Sequence, residues 1–202
     1  MSLRIAIYGG SFDPLHVGHL AVIAYTMAIL DPDELWVMPC WDHAFGKKLA
    51  PFKDRYGPTA EAVHNIFADK VRVRPSEQDY QTKYTIDLIE SLRADGEEGQ
   101  YHLVVGEDAY NERHKWHRWD DLISKVFIFP VGRMGVGEST ELFPVKASIP
   151  RMPEVSSSEI RRLIAAGREG DYAPMLPSSV LRYIREHQLY GYRGQKIMTS
   201  GE

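Results

Sequence analysis

The segment GGSFDPLHVGHL, Gly9 to Leu20, sets His16 and His19 three residues apart at a glycine-rich turn. Residues at that spacing share a helix face, so both imidazoles can meet one anion, and the helix N-terminus adds partial positive charge. Gly9 and Gly10 permit close backbone approach, while Asp13-Pro14 stiffens the loop before a helix expected to start near Val17 or Gly18. These residue types compose a phosphate clamp. The segment matches neither G-x-G-x-x-G nor the P-loop, which disfavours a standard dinucleotide or Walker-type site.

A second anion site is legible near the end of the chain in SSSEIRR. Ser156 and Glu159 fit the S-x-x-E capping box, so a helix begins within the serine run and presents its free N–H groups there. The hydroxyls of Ser157 and Ser158 and the Arg161 guanidinium, about one turn further on, suit a polyphosphate.

Both segments need a frame that brings them to one mouth, and the hydrophobic pattern supplies it. RIAIY, ELWVMP, VRVRP, YHLVVG and KVFIFPVG read as strands, with FPVKASIP expected as a last edge strand. Between them run helical faces at Leu20, Ile23, Ala24 and Met27, at Val63, Ile66 and Phe67, and at Ile86, Ile89 and Leu92. SSSEIRRLIAAG and SSVLRYIREHQLY supply two closing helices, the first with Gly167 at its C-terminal cap. The expected fold is α/β: a Rossmann-like doubly wound sheet, mainly parallel, with helices on both faces and a C-terminal helical segment. Ligands of such sheets bind beyond the carboxyl ends of the strands, where the first clamp falls.

The 202 residues, 44% hydrophobic and 26% charged, suit one soluble domain spanning 1–202, and the absence of a long apolar run argues for a cytoplasmic protein with no membrane partner. One cysteine, Cys40, excludes an internal disulfide and a multi-thiolate metal site. A net charge of −4 offers no general attraction for nucleic acid, so an anionic ligand must be met by local donors. Self-association is left open.

The opening segment resembles the signature of the nucleotidyltransferase superfamily, and most nearly that of the bacterial nicotinate mononucleotide adenylyltransferases. KYTIDLIESL, GEDAYNERHKWHRWDDLI, VSSSEIRR and LPSSVLRYIREHQLY resemble that family's later segments in order, so the likeness spans almost the whole chain. It implies attack of a mononucleotide phosphate on the α-phosphorus of ATP, giving deamido-NAD and pyrophosphate in NAD biosynthesis without a covalent enzyme intermediate. Magnesium would accompany ATP, with no dedicated metal cage. The resemblance implies that His16 and His19 act on the ATP phosphates near the reacting centre, with Ser157, Ser158 and Arg161 on the β and γ phosphates. Gly9, Gly10, Ser11, Phe12 and Gly18 would meet the nucleotide, and Gly106 and Asp108 the adenosine. On the acceptor side, Trp116 would stack on the pyridine, with Trp119 as its packing partner, and the backbone around Tyr84 and Thr85 would receive the nicotinate carboxylate.

The chain departs from that family after the second strand. There PCWDHAFGKKLAPFKDR replaces the usual asparagine, prolines and histidine-lysine pair. Lys47, Lys48, Lys53 and Arg55 are candidates for a mobile phosphate-binding loop, with Lys48 and Arg55 the choice for the mononucleotide. The divergence leaves open nicotinamide mononucleotide or phosphopantetheine as acceptor, or a regulatory module that binds nucleotides without turnover. The tyrosine-threonine segment and Trp116 disfavour phosphopantetheine, and the intact His16, His19 and Arg161 disfavour the module.

Overall fold

The computed structural model describes residues 2–42, 46–67, 69–133, 151–152 and 155–194. In chain order the elements are β1 (Arg4–Gly10), α1 (Val17–Ile29), β2 (Glu34–Pro39), α2 (Phe52–Ile66), β3 (Val71–Val73), α3 (Ser76–Asp79), α4 (Thr85–Ala94) and β4 (Gln100–Gly106). They continue with α5 (Glu107–Asn111), α6 (Trp119–Lys125), β5 (Phe127–Arg133), β6 (Arg151–Met152), α7 (Ser157–Ala165), α8 (Glu169–Tyr172) and α9 (Ser178–Glu186). The strands form a six-stranded sheet in the order β3-β2-β1-β4-β5-β6, and every neighbouring pair is parallel. The chain winds outward from β1 to β3 and then returns to β4, so the topological switch lies between β1 and β4. A crevice opens there beyond the strand ends.

Alternation along each strand loads both faces of the sheet, because successive side chains point to opposite sides. Ala6, Leu35, Val37 and Val104 share one core with Ile23, Ala62, Val63 and the α7 and α9 residues Ile160, Leu163, Ile164, Val180 and Ile184. Ile5, Ile7, Trp36, Met38, Leu103 and Val105 share the other with Ile86, Ile89 and Leu92 of α4 and Leu122 of α6. Each fully buried aliphatic side chain contributes roughly 1.5–3 kcal/mol of transfer free energy, so an Ile7→Asp change would break the second core. The doubly wound parallel sheet expected from the sequence is thus observed.

Several expected details differ. Ala24 is exposed, and the inner face of α1 runs through Ile23 and Thr26, whose hydroxyl donates to the Val22 carbonyl at 2.9 Å. Ile66 is also exposed, because α2 starts at Phe52 and its buried face is Arg55, Thr59, Ala62 and Val63. Lys125 closes α6 instead of opening β5. The expected edge strand FPVKASIP, 143–150, lies outside the described residues; immediately after it, Arg151 and Met152 pair with Gly132 and Arg133 of β5. α7 ends with Ala166 at its C-cap and Gly167 at φ 68°, the left-handed position a glycine takes without strain.

Candidate nucleotide site

β1 delivers the chain to the switch point, and the loop 11–16 folds back over the sheet before α1 begins. A Cβ at Gly10 would stand 3.0 Å from the Phe12 ring, so a side chain there would press on Phe12 and require the ring to shift by a few tenths of an ångström. Phe12 is buried edge-on against Tyr8 at 5.4 Å and His19 at 4.9 Å, so it supports the histidine from below. His16 is the N-cap of α1 and is 3% exposed. Its ring stacks on that of His19 with centroids 3.7 Å apart and 20° between planes. The His16 backbone N–H donates to His19 Nδ1 at 3.2 Å. That bond uses the Nδ1 lone pair, so the neutral His19 ring carries its proton on Nε2.

The two anion segments touch directly. Ser157 donates its hydroxyl to the Pro14 carbonyl at 3.0 Å, and Arg161 Nη1 donates to the Asp13 carbonyl at 2.6 Å and stands 3.5 Å from Asp13 Oδ2. Arg161 Nη2 also reaches Ser158 Oγ at 3.2 Å. Asp13, 1% exposed, accepts the Tyr190 hydroxyl at 3.0 Å and the Ala50 amide at 3.4 Å. Burial and the Asp13 carboxylate push the Tyr190 phenol upward, so it remains a donor. Half of the expected capping box forms at the head of α7: Ser156 Oγ accepts the Glu159 N–H at 3.1 Å, while the Glu159 carboxylate turns to Arg162 at 2.8 Å.

Two spaces open around the end of β1. A cleft of about 570 Å³ is bordered by His16, Gly18 and His19 on one side and by Gly106 and Asp108 on the other. Val155, two residues before α7, and Lys47 also border it. A smaller chamber of about 220 Å³ is lined by Gly9, Cys40, Glu77, Lys83, Thr85 and Trp116. Gly10, Ser11 and Val104 line both, so the spaces meet at the tip of β1. Trp116 is braced edge-on by Trp119 at 5.5 Å, and Trp119 by Tyr110 at 5.8 Å. Arg118 holds that segment to α4 through a two-pronged bond to Glu90, at 3.0 Å for each nitrogen.

Of the sequence-selected residues, His16, His19, Gly18, Gly106 and Asp108 gather at the cleft, Gly9, Thr85 and Trp116 at the chamber, and Gly10 and Ser11 at both; Ser157, Ser158 and Arg161 line neither space, and Phe12, expected to meet the nucleotide, is buried against His19 instead. Tyr84 instead caps α4 with its ring against His117, 4.5 Å between centroids. Lys48 faces a separate recess with Trp41 and Phe52, and Lys47 takes the place at the cleft. Arg55, expected in a mobile loop, belongs to α2 and is 1% exposed. Its guanidinium donates to the Ala50 and Ser11 carbonyls at 2.9 Å each and lies 3.9 Å from Cys40 Sγ. The helix α2 extends backwards into that lysine-rich segment, which sets Arg55 on the same buried face as Thr59, Ala62 and Val63. Sequence reasoning missed the hub made by Asp13 and Tyr190, and it missed Glu77 and Lys83. The Asp13 side chain gives no local signal because Tyr190 lies at the far end of the chain.

Comparison with known proteins agrees with this geometry. Residues 7–163 match the family model described as cytidylyltransferase-like, and the chain belongs to that family. The chain is 36% identical over 189 residues to a protein of Anaeromyxobacter dehalogenans named "Probable nicotinate-nucleotide adenylyltransferase", covering 93% of this chain and 96% of the relative. A protein of Myxococcus xanthus with the same name is 32% identical over 200 residues, covering 95% and 97%. Among solved structures, the Plasmodium falciparum nicotinic acid mononucleotide adenylyltransferase complexed with NaAD superposes with a TM-score of 0.79 at 22% identity, covering 94% of this chain and 98% of that one.

Proposed function

We propose that the protein transfers the adenylyl group of ATP to nicotinate mononucleotide, forming deamido-NAD and releasing pyrophosphate. The observation that carries the reading is the junction of cleft and chamber at Gly10 and Ser11, with the stacked histidines on one side and Trp116 and Thr85 on the other. The named relatives support the choice of reaction and acceptor.

An acceptor phosphate oxygen forms a bond to the α-phosphorus of ATP while the bond from that phosphorus to the bridging oxygen of pyrophosphate breaks. No protein nucleophile is needed, so catalysis comes from alignment and from neutralising charge on the transferring group. His16 and His19 meet the phosphates near the reacting centre, and Ser157, Ser158 and Arg161 the β and γ phosphates. Gly106 and Asp108 hold the adenosine. Trp116 stacks on the pyridine, and the backbone at Tyr84 and Thr85 receives its carboxylate. Magnesium enters with ATP. Among the described residues no three His, Cys, Asp or Glu side chains gather as a metal cage, so the cation would be carried by the triphosphate, where it would offset charge on the leaving pyrophosphate.

Incubating the purified chain with ATP, magnesium and a panel of nicotinate mononucleotide, nicotinamide mononucleotide and phosphopantetheine tests this. Equal amounts of pyrophosphate and deamido-NAD, with the nicotinate form preferred, are expected. ATP binding with no pyrophosphate from any acceptor would contradict it.

A further inference from the structure

Glu77 stands in the wall of the smaller chamber, and no step above uses it. Its Oε2 accepts the Trp41 backbone N–H at 2.8 Å, which fixes the carboxylate beside the chain leaving β2. The described charged and titratable groups around it come from several elements. Cys40 lies just after β2, Arg55 on α2, and Asp42 and Lys83 flank the chamber as an ion pair at 2.9 Å. Lys83 is therefore matched by Asp42, and the Arg55 guanidinium is engaged by two carbonyls. Burial pushes the Glu77 carboxyl up to about 7 despite the Trp41 hydrogen bond and the Arg55 charge, so lost hydration outweighs the local compensation. A carboxylate placed this way is stabilised by a cation that enters the chamber.

The heterocycle of a pyridine mononucleotide is such a cation, because its ring nitrogen is bonded to ribose and carries a fixed positive charge. We propose that Glu77 is the counter-ion of the acceptor's pyridinium ring and determines specificity for the charge of that ring. This rests on the acceptor class given under Proposed function. Trp116 reads the ring's flat face, and Glu77 reads its charge.

The sign of the pH dependence follows. Above about 7 the carboxylate is ionised and attracts the ring; as pH falls through that value it gains a proton and the attraction is lost. Burial pushes the Cys40 thiol up, so it stays neutral, and Lys83, raised by Asp42, stays protonated through this window.

The experiment compares the wild-type chain with E77Q, which keeps the side-chain volume and an oxygen for the Trp41 amide. Nicotinate mononucleotide is set against its 1,4-dihydro form, whose ring is neutral, with ATP and magnesium saturating. E77Q is expected to raise KM for the pyridinium acceptor roughly tenfold and to leave the dihydro form and ATP unaffected, about the size of one unit of charge-linked discrimination. Wild-type KM for the pyridinium acceptor, divided by that for the dihydro form, should rise as pH falls from about 8 to about 6. That rise should vanish in E77Q, and E77D should restore part of the preference. Equal losses for both ring forms, or a wild-type ratio flat with pH, would overturn the counter-ion while leaving the acceptor class intact. Absence of any dinucleotide from wild type would overturn both.

Discussion

In the wall where the loop 11–16 meets α7, Asp13 is 1% exposed and gathers Tyr190, Ala50 and Arg161 around one carboxyl group. In the chamber wall, Asp42 and Lys83 form an ion pair whose side chains are 57% and 40% exposed. The first wall is locked by bonds between segments distant in sequence, and the second is tied at the surface by an exchangeable ion pair. A triphosphate presents the same charges in every reaction of this kind, so its donors gain from a fixed lattice. The acceptor is what distinguishes one such enzyme from another, and Cys40 and Asp42 in the chamber wall come from the start of the segment that departs from the family pattern.

The contrast is most severely tested at Arg55, which links the two walls through Ser11 and Ala50. Arg55→Met keeps the apolar stem but leaves two half-buried carbonyls without their donor, and should lower unfolding free energy by about 2 kcal/mol in a urea titration. An unchanged midpoint would show that the fixed wall is not held from this point. Next in size, His19→Ala should cut turnover at least roughly tenfold with saturating substrates, as expected for loss of a charge-stabilising donor. Trp116→Ala should act on the other wall alone, raising acceptor KM roughly tenfold with ATP KM unchanged. A parallel rise in both KM values would erase the division between cleft and chamber. Smallest of all, Lys83→Met should shift unfolding by less than about 0.5 kcal/mol, the usual worth of an exposed pair.

The same contrast explains what could be read from sequence. Strand and helix periodicity located β1, β2, β4, α4 and α7, because their buried residues recur at regular spacing. The pairing of His16 with His19 was visible because it depends only on local spacing around one turn. Arg55 was misplaced because a lysine-rich segment reads as a surface loop until its helix is extended backwards from Ala62. Asp13 carried no sign of its hub role, since its partners Arg161 and Tyr190 approach only after the chain has folded. Glu77 lay in a four-residue helix too short for periodicity to register.

The central claim is that one bound dinucleotide crosses from cleft to chamber over the tip of β1, and a crystal structure with deamido-NAD tests it most directly. The account predicts the bridging pyrophosphate beside Gly10, Ser11 and the stacked histidines, adenosine toward Gly106 and Asp108, and the pyridine on Trp116. A product lying wholly within the larger cleft, with Trp116 and Thr85 untouched, would contradict it.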